Sequence, residues 1–139
     1  CVICTGNGPW LARTNSGFLI RTANPKYDVY LSRELHYSGV WEAGTTAVVK
    51  RLIERQQQAQ GTKTSNLVFA DCGANMGYFS LLAASSGFDV IAVEMQDTMA
   101  HYLASSAALN NGAGRSSSAD LGDIGSPVWG EIAIANVAL

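Results

Sequence analysis

Hydrophobic and polar positions divide the chain into two stretches of different character. Residues 16–35 carry short apolar runs. Phe18-Leu19-Ile20 is one, Tyr27 to Leu31 alternates imperfectly, and Asn24-Pro25 between them is a turn signal. This part is expected to hold short extended segments, followed by a loop at Ser38-Gly39-Val40-Trp41-Glu42. A helix is predicted over 45–60. Val48, Val49, Leu52 and Ile53 fall on one face, Thr45 or Thr46 can cap its start, and Gly61 stands where a C-terminal cap would.

From residue 67 the pattern changes. Leu67-Val68-Phe69-Ala70 is a continuous apolar run ending in Asp71, as suits a buried parallel strand. Gly73-Ala74-Asn75-Met76-Gly77 is a tight turn, and Tyr78 to Ser85 reads as a helix closed by Gly87. Val90-Ile91-Ala92-Val93 is a second strand, ending in Glu94. Asp97 can cap a further helix to about Leu109, with Met99, Tyr102 and Leu103 as its inner stripe. Residues 110–130 are expected to form a long surface loop, and Ile132 to Val137 a third strand. Strand, turn, helix, strand, helix is the order of a βαβ unit, so the fold class is α/β with a parallel sheet.

Composition adds limits. With 139 residues, 47% hydrophobic and 14% charged, the chain suits one globular domain. No apolar run approaches the roughly 18 residues that cross a bilayer, so no membrane segment is expected in it. Residues 1–60 hold seven Lys/Arg against four acids, and residues 61–139 hold two against seven. The acidic second half argues against a nucleic-acid partner. Cys1 and Cys4 form a C-x-x-C pair with no second pair of ligands, and His36 and His101 stand in no ligand-like spacing, so no metal site is expected.

The turn from Asp71 to Gly77 carries the chemistry. A chain that leaves a buried strand and enters a helix within a few residues needs conformations that side chains resist, and glycine also admits a ligand close to the backbone. Glu94 closes the next strand, 17 residues after Gly77, on the same carboxyl edge of the sheet. A carboxylate there can accept hydrogen bonds from both hydroxyls of a ribose. The pattern G-x-N-x-G preceded by Asp71 departs from the dinucleotide fingerprint G-x-G-x-x-G. An anionic Asp71 would repel a pyrophosphate and suits a cofactor bearing an ammonium group, as S-adenosyl-L-methionine does. Asn75 at the centre tolerates the left-handed conformation better than most residues.

Phe69-Ala70-Asp71-Cys72-Gly73-Ala74-Asn75-Met76-Gly77-Tyr78-Phe79-Ser80 resembles the first motif of the FkbM-type methyltransferases, D-x-G-A-N-x-G. Val90 to Glu94 resembles their second. Leu109-Asn110-Asn111 and Asn136 to Leu139 resemble later segments, and Asp28 to Ser32 and Gly39 to Glu42 resemble the lead-in of some members. Met95-Gln96 stands where the family usually has proline. The resemblance implies a Rossmann-like class I methyltransferase fold and O-methylation of a small-molecule or glycan-like acceptor. It implies S-adenosyl-L-methionine as cofactor, held by Asp71, Gly73, Asn75, Gly77 and Glu94.

Glu42 either reaches the cofactor's ammonium group or sits in solvent. Trp41, Tyr78 and Phe79 read as packing or pocket wall, and the histidines as ordinary surface or packing residues. No catalytic base is named. Residues 1–44 are expected to form an N-terminal extension, and 45–139 the first half of the cofactor domain, with an incomplete sheet of two or three strands and little activity alone. Two other readings stay open: a non-catalytic pseudoenzyme scaffold, and a fragment of an NAD-dependent oxidoreductase.

Overall fold

The computed structural model describes residues 10–60, 67–113 and 129–136. The fold is α/β. Its centre is a three-stranded parallel sheet in the order β3-β4-β5, formed by β3 (Val68–Cys72), β4 (Asp89–Glu94) and β5 (Ile132–Asn136). Helix α3 (Tyr78–Ala84) crosses from β3 to β4, and α4 (Asp97–Ala113) follows β4. Ahead of them stand an antiparallel pair, β1 (Trp10–Arg13) with β2 (Leu19–Thr22), and two helices, α1 (Leu31–Ser38) and α2 (Ala43–Gln60).

Parallel register puts paired residues on the same face of the sheet. Phe69 and Asp71 therefore share one face with Val90, Ala92 and Glu94 and with Ile132 and Ile134. Helices α3 and α4 pack against the sheet and carry Leu81, Leu82 and Leu103 into a core shared with Val90 and Ala92. Each of the buried leucines contributes about 1.5–3 kcal/mol. The alternate residues Val68, Ala70, Ile91, Ala133 and Ala135 are exposed, so among the described residues the opposite face is bare.

The β1–β2 pair is fastened to this core in two ways. Phe18, just before β2, packs on Tyr78 with ring centroids 5.6 Å apart. In addition, α4 lies along the outer edge of β2. Asn110 accepts from the Leu19 N–H (2.9 Å) and donates to the Leu19 carbonyl (2.7 Å), while Ser106 Oγ accepts from the Arg21 N–H (2.8 Å). Residues 106 and 110, one helical turn apart, thus satisfy alternate backbone groups of an edge strand that would otherwise need water or another chain.

Several elements differ from expectation. Leu31–Ser38 is a helix where extended chain and loop were predicted. Its buried Leu31, Ser32 and Leu35 form a face too short to stand out as a period. In α2 only part of the expected stripe packs: Ile53 is buried and Val49 half-buried, while Val48 and Leu52 are exposed. Thr46 Oγ donates to the Trp41 carbonyl and does not cap an N–H. Helix α4 runs through Asn110-Asn111, which were read as the start of the loop. Gly61, residues 114–128 of that loop, Cys1, Cys4 and Val137–Leu139 lie outside the described residues.

Gly73 (φ +84°) and Gly77 (φ +89°) separate two uses of glycine. A Cβ at Gly73 would enter open space, whereas one at Gly77 would collide with the Leu103 side chain. Gly73→Ala is expected to cost about 1–2 kcal/mol, from left-handed strain alone. Gly77→Ala adds overpacking of a further ~1–3 kcal/mol. Urea denaturation of the two variants checks the order.

Candidate functional site

The site lies at the carboxyl ends of β3 and β4. The chain leaves β3 at Cys72 and makes three left-handed residues within five positions, Gly73, Asn75 (φ +52°) and Gly77. Asn75 supports its own conformation, because its Oδ1 accepts from the Met76 N–H at 2.7 Å. Gly77 then begins α3, accepting at its carbonyl from the Leu81 N–H.

All five backbone N–H groups of the turn are donated inside the protein. Those of Gly73 and Ala74 go to the Val93 carbonyl (2.8 and 3.0 Å) and that of Gly77 to the Ala74 carbonyl (2.8 Å). That of Met76 goes to Asn75 Oδ1, and that of Asn75 to Glu94 Oε2 (2.7 Å). A phosphate-binding turn must aim such groups outward. This one has none to aim.

Glu94 is 5% exposed, so it is not surface at the end of a strand. Its second oxygen, Oε1, accepts from the Gln96 N–H at 2.7 Å. The carboxylate therefore joins the turn after β3 to the turn after β4 through two short charge-assisted bonds. A carboxylate offers about four acceptor positions, and two are left.

Asp71 is half-buried and points toward α3, where its Oδ2 accepts from Ser80 Oγ at 2.6 Å. It does not cap the helix: the N-cap is Gly77, with no side-chain cap bond. Ser80 is a residue whose role sequence reasoning missed, since it sits nine positions on and reaches Asp71 only through the crossover. Another is Ser32 of α1. Its Oγ donates to Asp28 Oδ2 at 2.5 Å and lies 3.9 Å from Met76 Sδ in the turn. Burial would raise the Asp28 carboxyl, but hydrogen bonds from the Ser32 side chain and from the Ser32, Tyr30 and Leu31 backbone outweigh it and hold it below its usual value. The N-terminal segment Asp28 to Ser32 is thereby placed against the glycine turn.

Further along the same edge, Asn136 at the end of β5 donates to Asp97 Oδ1 at 2.5 Å, so Asp97 is occupied there. Glu42 is exposed, with φ +43° just before α2, and its carbonyl accepts the Thr46 N–H. The structure thus brings Asp71, Gly73, Asn75, Gly77 and Glu94 together around one turn; no hydrogen bond joins the Glu42 side chain to it among the described residues. Trp41, Phe79 and Met99 are half-buried against the core, and Tyr78 is buried within it. His36 Nε2 pairs with Thr22 Oγ1 at 2.9 Å, and burial lowers the pKa of its imidazole. Among the described residues no group of His, Cys, Asp or Glu is arranged to hold a metal ion, and no helix is long and apolar enough to cross a membrane.

No family model, curated protein or solved structure matches this chain. The chemistry of the site rests on its geometry.

Glu94→Gln preserves shape but places an amide N–H₂ against one of two backbone N–H groups. It is expected to lower stability by about 2–3 kcal/mol, as loss of a charge-assisted bond and an unsatisfied buried donor require. Urea denaturation followed by circular dichroism measures this directly.

Proposed function

We propose that the edge formed by Asp71, Gly73, Asn75, Gly77 and Glu94 binds S-adenosyl-L-methionine in a Rossmann-like methyltransferase domain, and that the protein serves methyl transfer to oxygen of a small-molecule or glycan-like acceptor. The observation that carries this reading is the internal use of every N–H in the turn. A dinucleotide needs outward N–H groups for its pyrophosphate, while a nucleoside cofactor without phosphate does not. The NAD-dependent alternative loses the donors of the turn here and keeps for its pyrophosphate only the first N–H groups of α3.

The residues fit the cofactor in three respects. The open space beside Gly73 admits a ligand against the backbone. Glu94 keeps two acceptor positions at the end of the second strand for a ribose diol. Asp71 supplies negative charge for the ammonium end, with one oxygen held by Ser80. The bound cofactor would supply an electrophilic methyl group, and the protein's part is to orient it and exclude water.

One observation favours a second reading. Because Glu94 is nearly wholly buried and already bonds both turns, its carboxylate can be explained as a structural clamp in a non-catalytic scaffold.

Calorimetric titration of the full chain with S-adenosylhomocysteine separates the two. The cofactor reading expects saturable 1:1 binding, weakened tenfold or more by Asp71→Asn and changed by less than about threefold by Ser80→Ala, which keeps the carboxylate. A chain that unfolds cooperatively yet binds no S-adenosylhomocysteine supports the scaffold. Preferential binding of NAD overturns the assignment of the cofactor.

A further inference from the structure

A cleft of about 540 Å³ lies on the N-terminal side of the molecule, lined by Trp10, Asn24, Lys26, Arg33, His36 and Tyr37, with Pro25 at its wall. Its volume falls within the range of sites for small organic ligands. Three elements build it. Trp10 comes from β1, residues 24–26 from the turn after β2, and Arg33, His36 and Tyr37 from one side of α1, at the i, i+3, i+4 spacing that aligns side chains.

The turn is held firmly. The Asn24 carbonyl accepts the N–H groups of Tyr27 and Asp28, and its Oδ1 accepts that of Lys26 at 2.9 Å. His36 is fixed by Thr22 and by the Trp10 ring, which meets it edge-on at 5.9 Å between centroids. Its Nδ1 is buried without a hydrogen-bond partner among the described residues.

The chemistry of the lining is one-sided. Two cationic side chains, Lys26 and Arg33, meet no acidic residue among the described lining residues, and the remaining wall is aromatic and mostly apolar. Arg33 and Lys26 both line the concavity, the Lys26 ammonium lying over the Tyr27 ring 5.7 Å from its centroid, and a guanidinium and an ammonium together recognise an anionic oxygen group, the guanidinium through two parallel N–H donors. An indole beside a proline provides a surface for a flat ring. We propose that this cleft binds a small ring-bearing organic anion, with its phosphate or carboxylate on Lys26 and Arg33 and its ring against Trp10 and Pro25. The inference does not rest on the cofactor reading. The two sites nevertheless share α1, whose Ser32 touches Met76 of the glycine turn from an adjacent side of the same helix.

The test is calorimetric titration of the full chain with phenyl phosphate, benzoate and inorganic phosphate. Lys26 and Arg33 are exposed, so Lys26→Ala and Arg33→Ala should fold, as circular dichroism will show. Phenyl phosphate or benzoate is expected to bind at one site, and whichever is tighter names the anionic group. Each cleft variant should weaken that binding tenfold or more, while Arg51→Ala on α2 leaves it unchanged. Inorganic phosphate should bind at least tenfold more weakly. Absent binding by the folded chain, equal loss in Arg51→Ala, or no loss in Arg33→Ala overturns the site. Equal binding of inorganic phosphate overturns the role of the ring.

Discussion

The buried carboxylate of Glu94 is the interaction on which the rest of the site depends. A charge 5% exposed persists in a folded protein only when its oxygens are hydrogen-bonded, and here the donors are the N–H groups of Asn75 and Gln96. These belong to the two turns that follow adjacent parallel strands. One side chain therefore fixes the path of both turns, and through them the starting points of α3 and α4. The left-handed residues at 73, 75 and 77 are tolerated because this frame over-determines them.

Packing carries that constraint outward. Gly77 lets Leu103 approach the turn so closely that no side chain fits between them, which brings α4 against the start of α3. Helix α4 in turn holds β2 through Ser106 and Asn110, and Phe18 ahead of β2 packs on Tyr78 in α3. The N-terminal elements are thus part of the same body as the sheet. Ser32 beside Met76 then places α1 at the turn, with the cationic cleft on the helix's adjoining side.

The elements from Leu67 to Leu109 were readable in the sequence because local and tertiary signals agree there, although β3, expected to be a buried strand, is exposed on alternate residues and only half-buried on the others. Apolar runs end in acids, glycines punctuate them, and each helix has a periodic stripe. The rest depended on distant contacts. Asn110-Asn111-Gly112 reads as a turn, yet Asn110 finds its partners on Leu19, 91 positions away, and the helix continues through it. Helix α1 was hidden because its buried face includes Ser32, a polar residue whose place is set by Asp28 and Met76. In the site, the candidates at 71, 73, 75, 77 and 94 were marked by their spacing. The internal bonding of the turn's N–H groups, which bears most directly on the kind of cofactor, can be seen only in three dimensions.

Backbone amide NMR of the labelled full chain, titrated with S-adenosylhomocysteine, tests the central claim most directly, since a dispersed spectrum shows at once that the chain is folded. Saturable shifts concentrated at residues 71–77 and 94–97, with no comparable response to NAD, are the predicted result. A dispersed spectrum that S-adenosylhomocysteine leaves unchanged, or shifts confined to other elements, would contradict the cofactor assignment.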